Sequence, residues 1–194
     1  MKERFEWIHS WCDEATSSDC PRVLLVGDSI TLGYQEKVRQ KLKGVCYVDF
    51  ISTSYAIDTK IYNDIVASFF ADSNYALIHF NHGLHGQHIY KRTYKSRLKK
   101  LLQRAKNGKT VLATSTIVYC EGNTRLDRVW VKKLKERNDA VKELSSEFGY
   151  GIDDLYSVSV SMPTDKRSLD GIHYTEEGYE DFACAVADCI RKTL

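Results

Sequence analysis

With 194 residues, 43% of them hydrophobic and 28% charged, the chain can bury a sizeable core and has the balance of an ordinary globular domain. A net charge of +2 without a dominating single-sign block gives no footprint for a nucleic-acid partner, and no apolar run approaches the roughly eighteen residues of a membrane span. The six cysteines show neither a C-x-x-C pair nor compact framework spacing, so reduced, mostly buried thiols are expected.

In chain order, Met1 to Asp13 sets Phe5, Trp7, Ile8 and Trp11 among charged residues and reads as an amphipathic helix. It lacks the continuous apolar segment of a signal peptide, so the chain as given is expected to be cytoplasmic, or the processed form of a secreted protein. Residues 1–20 are thus an N-terminal helix and loop ahead of the first core strand, with Pro21 closing the loop. Arg22 to Gly27 is an apolar strand that stops at Gly27-Asp28-Ser29 and turns into a helix from Ile30 to Lys43, ended by Gly44. Val45 to Ile51 is a second strand with the loop Ser52-Thr53-Ser54-Tyr55 at its carboxyl end, and a helix follows from Asp58 to about Phe70.

Tyr75 to Phe80 is a third strand, ending in Asn81-His82-Gly83-Leu84-His85-Gly86. The basic run from Lys91 to Lys109 interleaves Leu98, Leu101 and Leu102 at helical spacing and reads as a helix with a solvated charged face, closed by Asn107-Gly108. Thr110 to Thr116 is a fourth strand. Beyond the polar stretch Glu121 to Arg128, a helix runs from about Val131 to Phe148 and ends at Gly149. Gly151 to Asp154 is a short fifth strand, the chain is irregular around Met162-Pro163, and a last helix runs from Thr175 to about Arg191.

Strands alternating with helices at this spacing predict βαβ units: an α/β domain, a three-layer α/β/α sandwich around a central parallel sheet of about five strands. Nothing in residues 1–194 divides the chain, so a single domain is expected. Open sheets of this kind bind ligands outside the carboxyl ends of their strands, which is where the polar loops at Asp28-Ser29, Ser52 to Tyr55 and Asn81 to Gly86 fall. A serine hydroxyl there needs a general base, and the base needs an orienting group. Asp170 and His173, three apart before the last helix, can supply both, with the carboxylate on one ring nitrogen and Ser29 on the other.

Gly27-Asp28-Ser29 near the start, an Asn- and Gly-containing loop after the third strand, and Asp170-Gly171-Ile172-His173 near the end together resemble the SGNH (GDSL-type) hydrolase superfamily, over nearly the whole chain. The resemblance implies that fold, with Ser29 as nucleophile and oxyanion donor, His173 as base and Asp170 as orienter. Two blocks depart from the family pattern. The usual glycine after the second strand is absent, Ser54 being nearest by position, and the usual Gly-x-Asn-Asp is replaced by Asn81-His82-Gly83-Leu84-His85. The oxyanion hole is therefore expected from Ser29, Ser54 and Asn81, with Asp28, Gly83 and His85 lining the pocket.

His79, His82, His85 and His88 recur every three residues but span a strand, a loop and a helix start, so they share no face, and neither a metal site nor a cofactor is expected. The expected activity is a serine esterase on small acyl esters, with O-acetyl groups on a carbohydrate as the favoured substrate. Trp130 and Tyr119 are placed either for stacking on a sugar or for the core. The alternatives are a thioesterase or lysophospholipase-type acyl hydrolase, and a non-catalytic carbohydrate-binding module with a degenerate oxyanion hole. The expected partner is a small-molecule or carbohydrate ester, with no nucleic acid and no membrane.

Overall fold

Strand β2 (Arg22–Gly27) sends Val23 and Leu25 to one face and Leu24 and Val26 to the other, and all four are buried. Such a strand has to sit inside a sheet covered on both sides. In the computed structural model of the protein, which describes residues 3–105 and 108–194, it does. Around it run β1 (Ile8–Trp11), β3 (Tyr47–Thr53), β4 (Leu77–Asn81), β5 (Lys109–Ala113) and β6 (Gly151–Asp153), in the spatial order β1-β3-β2-β4-β5-β6. All neighbours are parallel except β1 and β3.

Helices α1 (Ser29–Lys41), α5 (Leu155–Ser161) and α6 (Glu176–Thr193) bury Tyr34, Leu155 and Phe182 against one face. On the other face α2 (Lys60–Asp72), α3 (Lys91–Leu102) and α4 (Arg128–Phe148) bury Tyr62, Leu98 and Leu144. This is the expected three-layer sandwich. Strand register sets the level of the loops: Gly27 pairs with Ser52 on one side and Asn81 on the other, so the three polar loops leave the sheet together.

The N-terminal expectation is corrected. Residues 8–11 form the antiparallel edge strand β1, not a helix, and add a sixth strand to the sheet. The apolar spacing of Trp7, Ile8 and Trp11 is a local signal. It loses to the unpaired backbone of β3, which an edge strand covers. Thr53 Oγ1 donates to Trp7 O at 2.7 Å and the Trp7 N–H to Ser54 Oγ at 2.8 Å, fixing the register. Two smaller expectations are also corrected. α5 occupies part of the stretch read as irregular, its start capped by Asp154 accepting from the Ser157 N–H. Of the six free cysteines only Cys46 is buried, while Cys12 and Cys184 are exposed. The Asn107 end of the expected Asn107-Gly108 closure lies outside the described residues. No helix among those residues is long and apolar enough to cross a membrane.

Candidate active site

The turn that carries Ser29 is built by its two predecessors. Gly27 lies so close to α1 and β4 that a Cβ would fall 1.9 Å from Thr31 Oγ1 and 2.5 Å from Asn81 O. Asp28 is the N-cap of α1, its Oδ1 accepting the Ile30 N–H at 3.1 Å. Its other oxygen accepts the N–H groups of Gly83 and Leu84, each at 3.1 Å, although the residue is only 1% exposed. Ser29 is the first residue of α1, where backbone N–H groups have no intrahelical partner.

The loop before α6 brings the remaining two groups. His173 Nε2 is 2.9 Å from Ser29 Oγ, and His173 Nδ1 is 2.6 Å from Asp170 Oδ2. Asp170 Oδ1 accepts the N–H groups of Ile172 and His173 at 2.8 and 2.9 Å, so the carboxylate is held independently of the ring. Partial burial raises the Asp170 carboxyl. The backbone N–H of His173, its ring and the N–H of Ile172 outweigh that and hold it below the ordinary carboxylate range. Gly171, between them, has φ of +77°, and a Cβ there would lie 2.3 Å from Tyr119 O. Both the left-handed backbone and the close approach require glycine.

Ser29, His85 and His173 open into one cleft of about 560 Å³. Leu84, Val118, Trp130 and Ile172 give it an apolar wall, and Glu3, Arg4, Gln87 and His88 a polar one. Thus Ser29, Asp170 and His173 are brought together as the sequence expects, and His85 lines the same cleft.

Ser54 and Asn81 are not brought there. The Ser54 N–H donates to Trp7 O at 3.3 Å and its hydroxyl to Glu6 Oε2 at 2.7 Å, so the N-terminal segment uses the donors expected to face an oxyanion. Asn81 is buried under α1, where its Nδ2 donates to Tyr34 Oη at 3.4 Å. The expectation for both is corrected: each sits at the right strand end but outside the lining of the cleft, with the Ser54 donors bound to Trp7 and Glu6 and one of the two Asn81 amide hydrogens bound to Tyr34. Gly83 is buried, its N–H bound to Asp28 and its carbonyl accepting from Arg137 at 2.6 Å. It supports the cleft from behind and does not line it.

Glu3, Arg4 and Arg137 are the participants that sequence reasoning misses. Arg137 is 1% exposed and donates to the carbonyls of Gly83, His85 and Gly86, the latter two at 2.7 Å, with its guanidinium over the Tyr94 ring. A signal exists: Leu134, Arg137, Val141 and Leu144 occupy the same helical stripe, and a cation on an apolar stripe has to meet buried acceptors.

The four spaced histidines go separate ways. His79 pairs with Asp153 in the interior at 2.9 Å, His82 packs on Tyr62, His85 meets Glu3 Oε2 at 3.1 Å, and His88 meets Asp58 at 2.9 Å. Among the described residues no three His, Cys, Asp or Glu side chains gather as metal ligands.

No protein-family model and no curated protein sequence matches the chain. Solved structures do. A variant of an acetyl xylan esterase from Geobacillus stearothermophilus superposes with a TM-score of 0.70 at 16% identity, covering 88% of this chain and 94% of that one. The C-terminal catalytic domain of a Streptococcus pneumoniae peptidoglycan O-acetyltransferase, carrying a methylsulfonyl adduct, gives 0.69 at 17%, covering 90% and 94%. A member of the lipolytic protein G-D-S-L family from Veillonella parvula gives 0.66 at 17%, covering 86% and 96%. The chain has the SGNH hydrolase fold.

Proposed function

We propose that the protein is a serine esterase that hydrolyses small acyl esters through an acyl-enzyme. The observation that carries this is the continuous chain from Ser29 Oγ to His173 to Asp170, at 2.9 and 2.6 Å, at the mouth of a cleft. His173 Nε2 takes the Ser29 proton as Oγ attacks the ester carbonyl, and the Ser29 N–H faces the developing oxyanion. Asp170 holds the ring so that Nδ1 keeps its proton and Nε2 is free to accept one. The imidazolium then returns the proton to the leaving alcohol. Water, deprotonated by the same nitrogen, releases the acid and restores Ser29.

O-acetyl groups on a carbohydrate are the substrate class we favour. Glu3, Arg4, Gln87 and His88 offer donors and acceptors for hydroxyl groups, and Trp130 lines the same cleft as an aromatic on which a sugar could stack. Two proteins of the same fold are, by name, an acetyl xylan esterase and a peptidoglycan O-acetyltransferase. The apolar wall of Leu84, Val118, Trp130 and Ile172 favours a second reading, hydrolysis of longer acyl chains from thioesters or lysophospholipids.

Hydrolysis of p-nitrophenyl acetate by wild type and Ser29→Ala tests the activity, and equal rates for the two would reject it. Comparing acetyl with octanoyl esters tests the substrate class, since a preference for octanoyl would select the second reading.

A further inference from the structure

The large apolar side chains that the fold leaves in water gather in one place. Among the described residues the four most exposed are Phe5, Tyr90, Val129 and Leu169, at 61–77%, ahead of Trp11 at 52%. All four border the catalytic cleft. Phe5 follows Arg4 and Val129 precedes Trp130, both of which line it, and Leu169 precedes Asp170 of the triad. Tyr90 stands two residues beyond His88, also in the lining, with Lys133 Nζ from α4 5.6 Å from its ring centre. Leu126, exposed as well, sits beside Asp127, whose N–H donates to the carbonyl of the lining residue Val118 at 3.2 Å. The Leu126 loop is tied to the Leu169 loop, the Gly122 N–H donating to Leu169 O at 2.6 Å and Asn123 Nδ2 to Ser168 O at 3.0 Å. Single exposed apolar residues are ordinary, but several segments offering them around one opening mark an interaction surface.

The same segments, residues 3–7, 88–92, 118–133 and 168–173, carry seven basic and five acidic side chains. Four of the five carboxylates take hydrogen bonds from within the protein: Glu3 from Gly86, Glu6 from Ser54, Asp127 from the first N–H groups of α4, and Asp170 from Ile172 and His173. By contrast Arg4, Arg92, Arg125, Arg128 and Lys132 are all exposed, and among the described residues none of them forms an ion pair. The unengaged charge around the opening is therefore positive, with Glu121 as the exception.

We propose that this rim docks the protein on a lipid surface that carries anionic headgroups. Such a surface takes up both features at once, the apolar side chains entering the headgroup layer while the cations meet the headgroups. A second copy of the chain fits less well, because an isologous contact sets the same cations against each other. A polysaccharide fits less well too, since Leu126, Val129 and Leu169 offer it neither a ring face nor a hydrogen-bonding group. Docking does not depend on the esterase reading above. What rests on that reading is the consequence: an ester carried in the lipid surface becomes the substrate that Ser29 meets, which deepens the second of the two substrate classes.

The test is flotation of the full chain with vesicles of phosphatidylcholine alone and of phosphatidylcholine mixed with phosphatidylglycerol, at low and high salt. It compares the wild type with the double variants Arg125→Gln/Arg128→Gln and Val129→Ser/Leu169→Ser. All four side chains are exposed, so circular dichroism and p-nitrophenyl acetate turnover in free solution should stay as in the wild type. The wild type is expected to float with the anionic vesicles, less so at high salt, and hardly at all with the neutral ones. Partitioning should fall about 30-fold in the arginine variant and about tenfold in the apolar one. No flotation of the wild type with anionic vesicles overturns the docking, as does flotation of both variants at the wild-type level. A wild-type dimer that Val129→Ser/Leu169→Ser abolishes, without vesicle binding, assigns the rim to a second copy and also overturns it. Flotation as expected, with no Ser29-dependent turnover, supports the docking and overturns the esterase reading alone.

Discussion

The Asp28 carboxylate accepts the backbone N–H of Gly83 at 3.1 Å, tying the turn that presents Ser29 to the loop that presents His85. The same side chain caps α1 and holds the Leu84 N–H, so one buried carboxylate joins β2, α1 and the loop after β4. Asp28→Ala removes a helix cap, worth about 0.5–2 kcal/mol, and leaves buried donors unpaired at about 1–3 kcal/mol each. Urea denaturation should show a loss of about 2–5 kcal/mol, and a smaller one for Asp28→Asn, which retains one acceptor oxygen.

Arg137 holds the other side of that loop through its carbonyls. Arg137→Met removes a buried donor set that satisfies Gly83, His85 and Gly86, and unfolding free energy should fall by about 2–4 kcal/mol. Arg137→Lys should recover little of it, because an ammonium is a point donor and cannot span three carbonyls as the planar guanidinium does. Turnover of p-nitrophenyl acetate should fall in both variants, since the His85 loop loses its anchor.

His82 should make the fold acid-sensitive. Burial pushes its ring down from the ordinary 6.5 to about 4, with the Asp28 carboxylate opposing and His85 reinforcing the shift. A base with a lowered folded pKa binds its proton first in the unfolded chain. Stability is therefore full above pH 6.5 and falls by about 1.4 kcal/mol per unit as the pH drops from 6.5 towards 4. The ring nitrogens make no well-formed hydrogen bond, a marginal contact with the Gly27 backbone aside, so His82→Leu should come close to the wild type at pH 8 and exceed it at pH 5. Urea midpoints at the two pH values check this, and a parallel pH dependence in both proteins would contradict it.

Asp170→Asn separates orientation from folding. The amide oxygen can still accept from Ile172 and His173, which turns the NH₂ towards His173 Nδ1 and leaves the ring proton on Nε2, facing Ser29. The serine then has no base, and kcat should drop about 10⁴-fold, as in other Ser-His-Asp systems, with the thermal midpoint little changed. In the wild type the Asp170 carboxyl lies below its ordinary 3.8, so it stays ionised at neutral pH.

How far the sequence reveals this site depends on how local each signal is. Gly27-Asp28-Ser29 is a strand end, a cap and a helix start in three consecutive residues, and Asp170 reaches His173 within one turn of chain, so both ends of the triad are legible. The alternation of elements likewise yields the sandwich. The oxyanion side is not legible, because whether Ser54 or Asn81 reaches the cleft depends on how distant elements pack against it. Trp7 and Tyr34 bind them from 47 residues away in each case. The same holds for residues 8–11, whose helical spacing yields to the exposed edge of β3.

Reaction with a fluorophosphonate probe, read by mass spectrometry of the digested protein, addresses the nucleophile itself. We predict one adduct on the peptide containing Ser29, with labelling abolished in Ser29→Ala and strongly slowed in His173→Ala. An unlabelled wild-type protein, or an adduct that persists in Ser29→Ala, would contradict a serine nucleophile at this position.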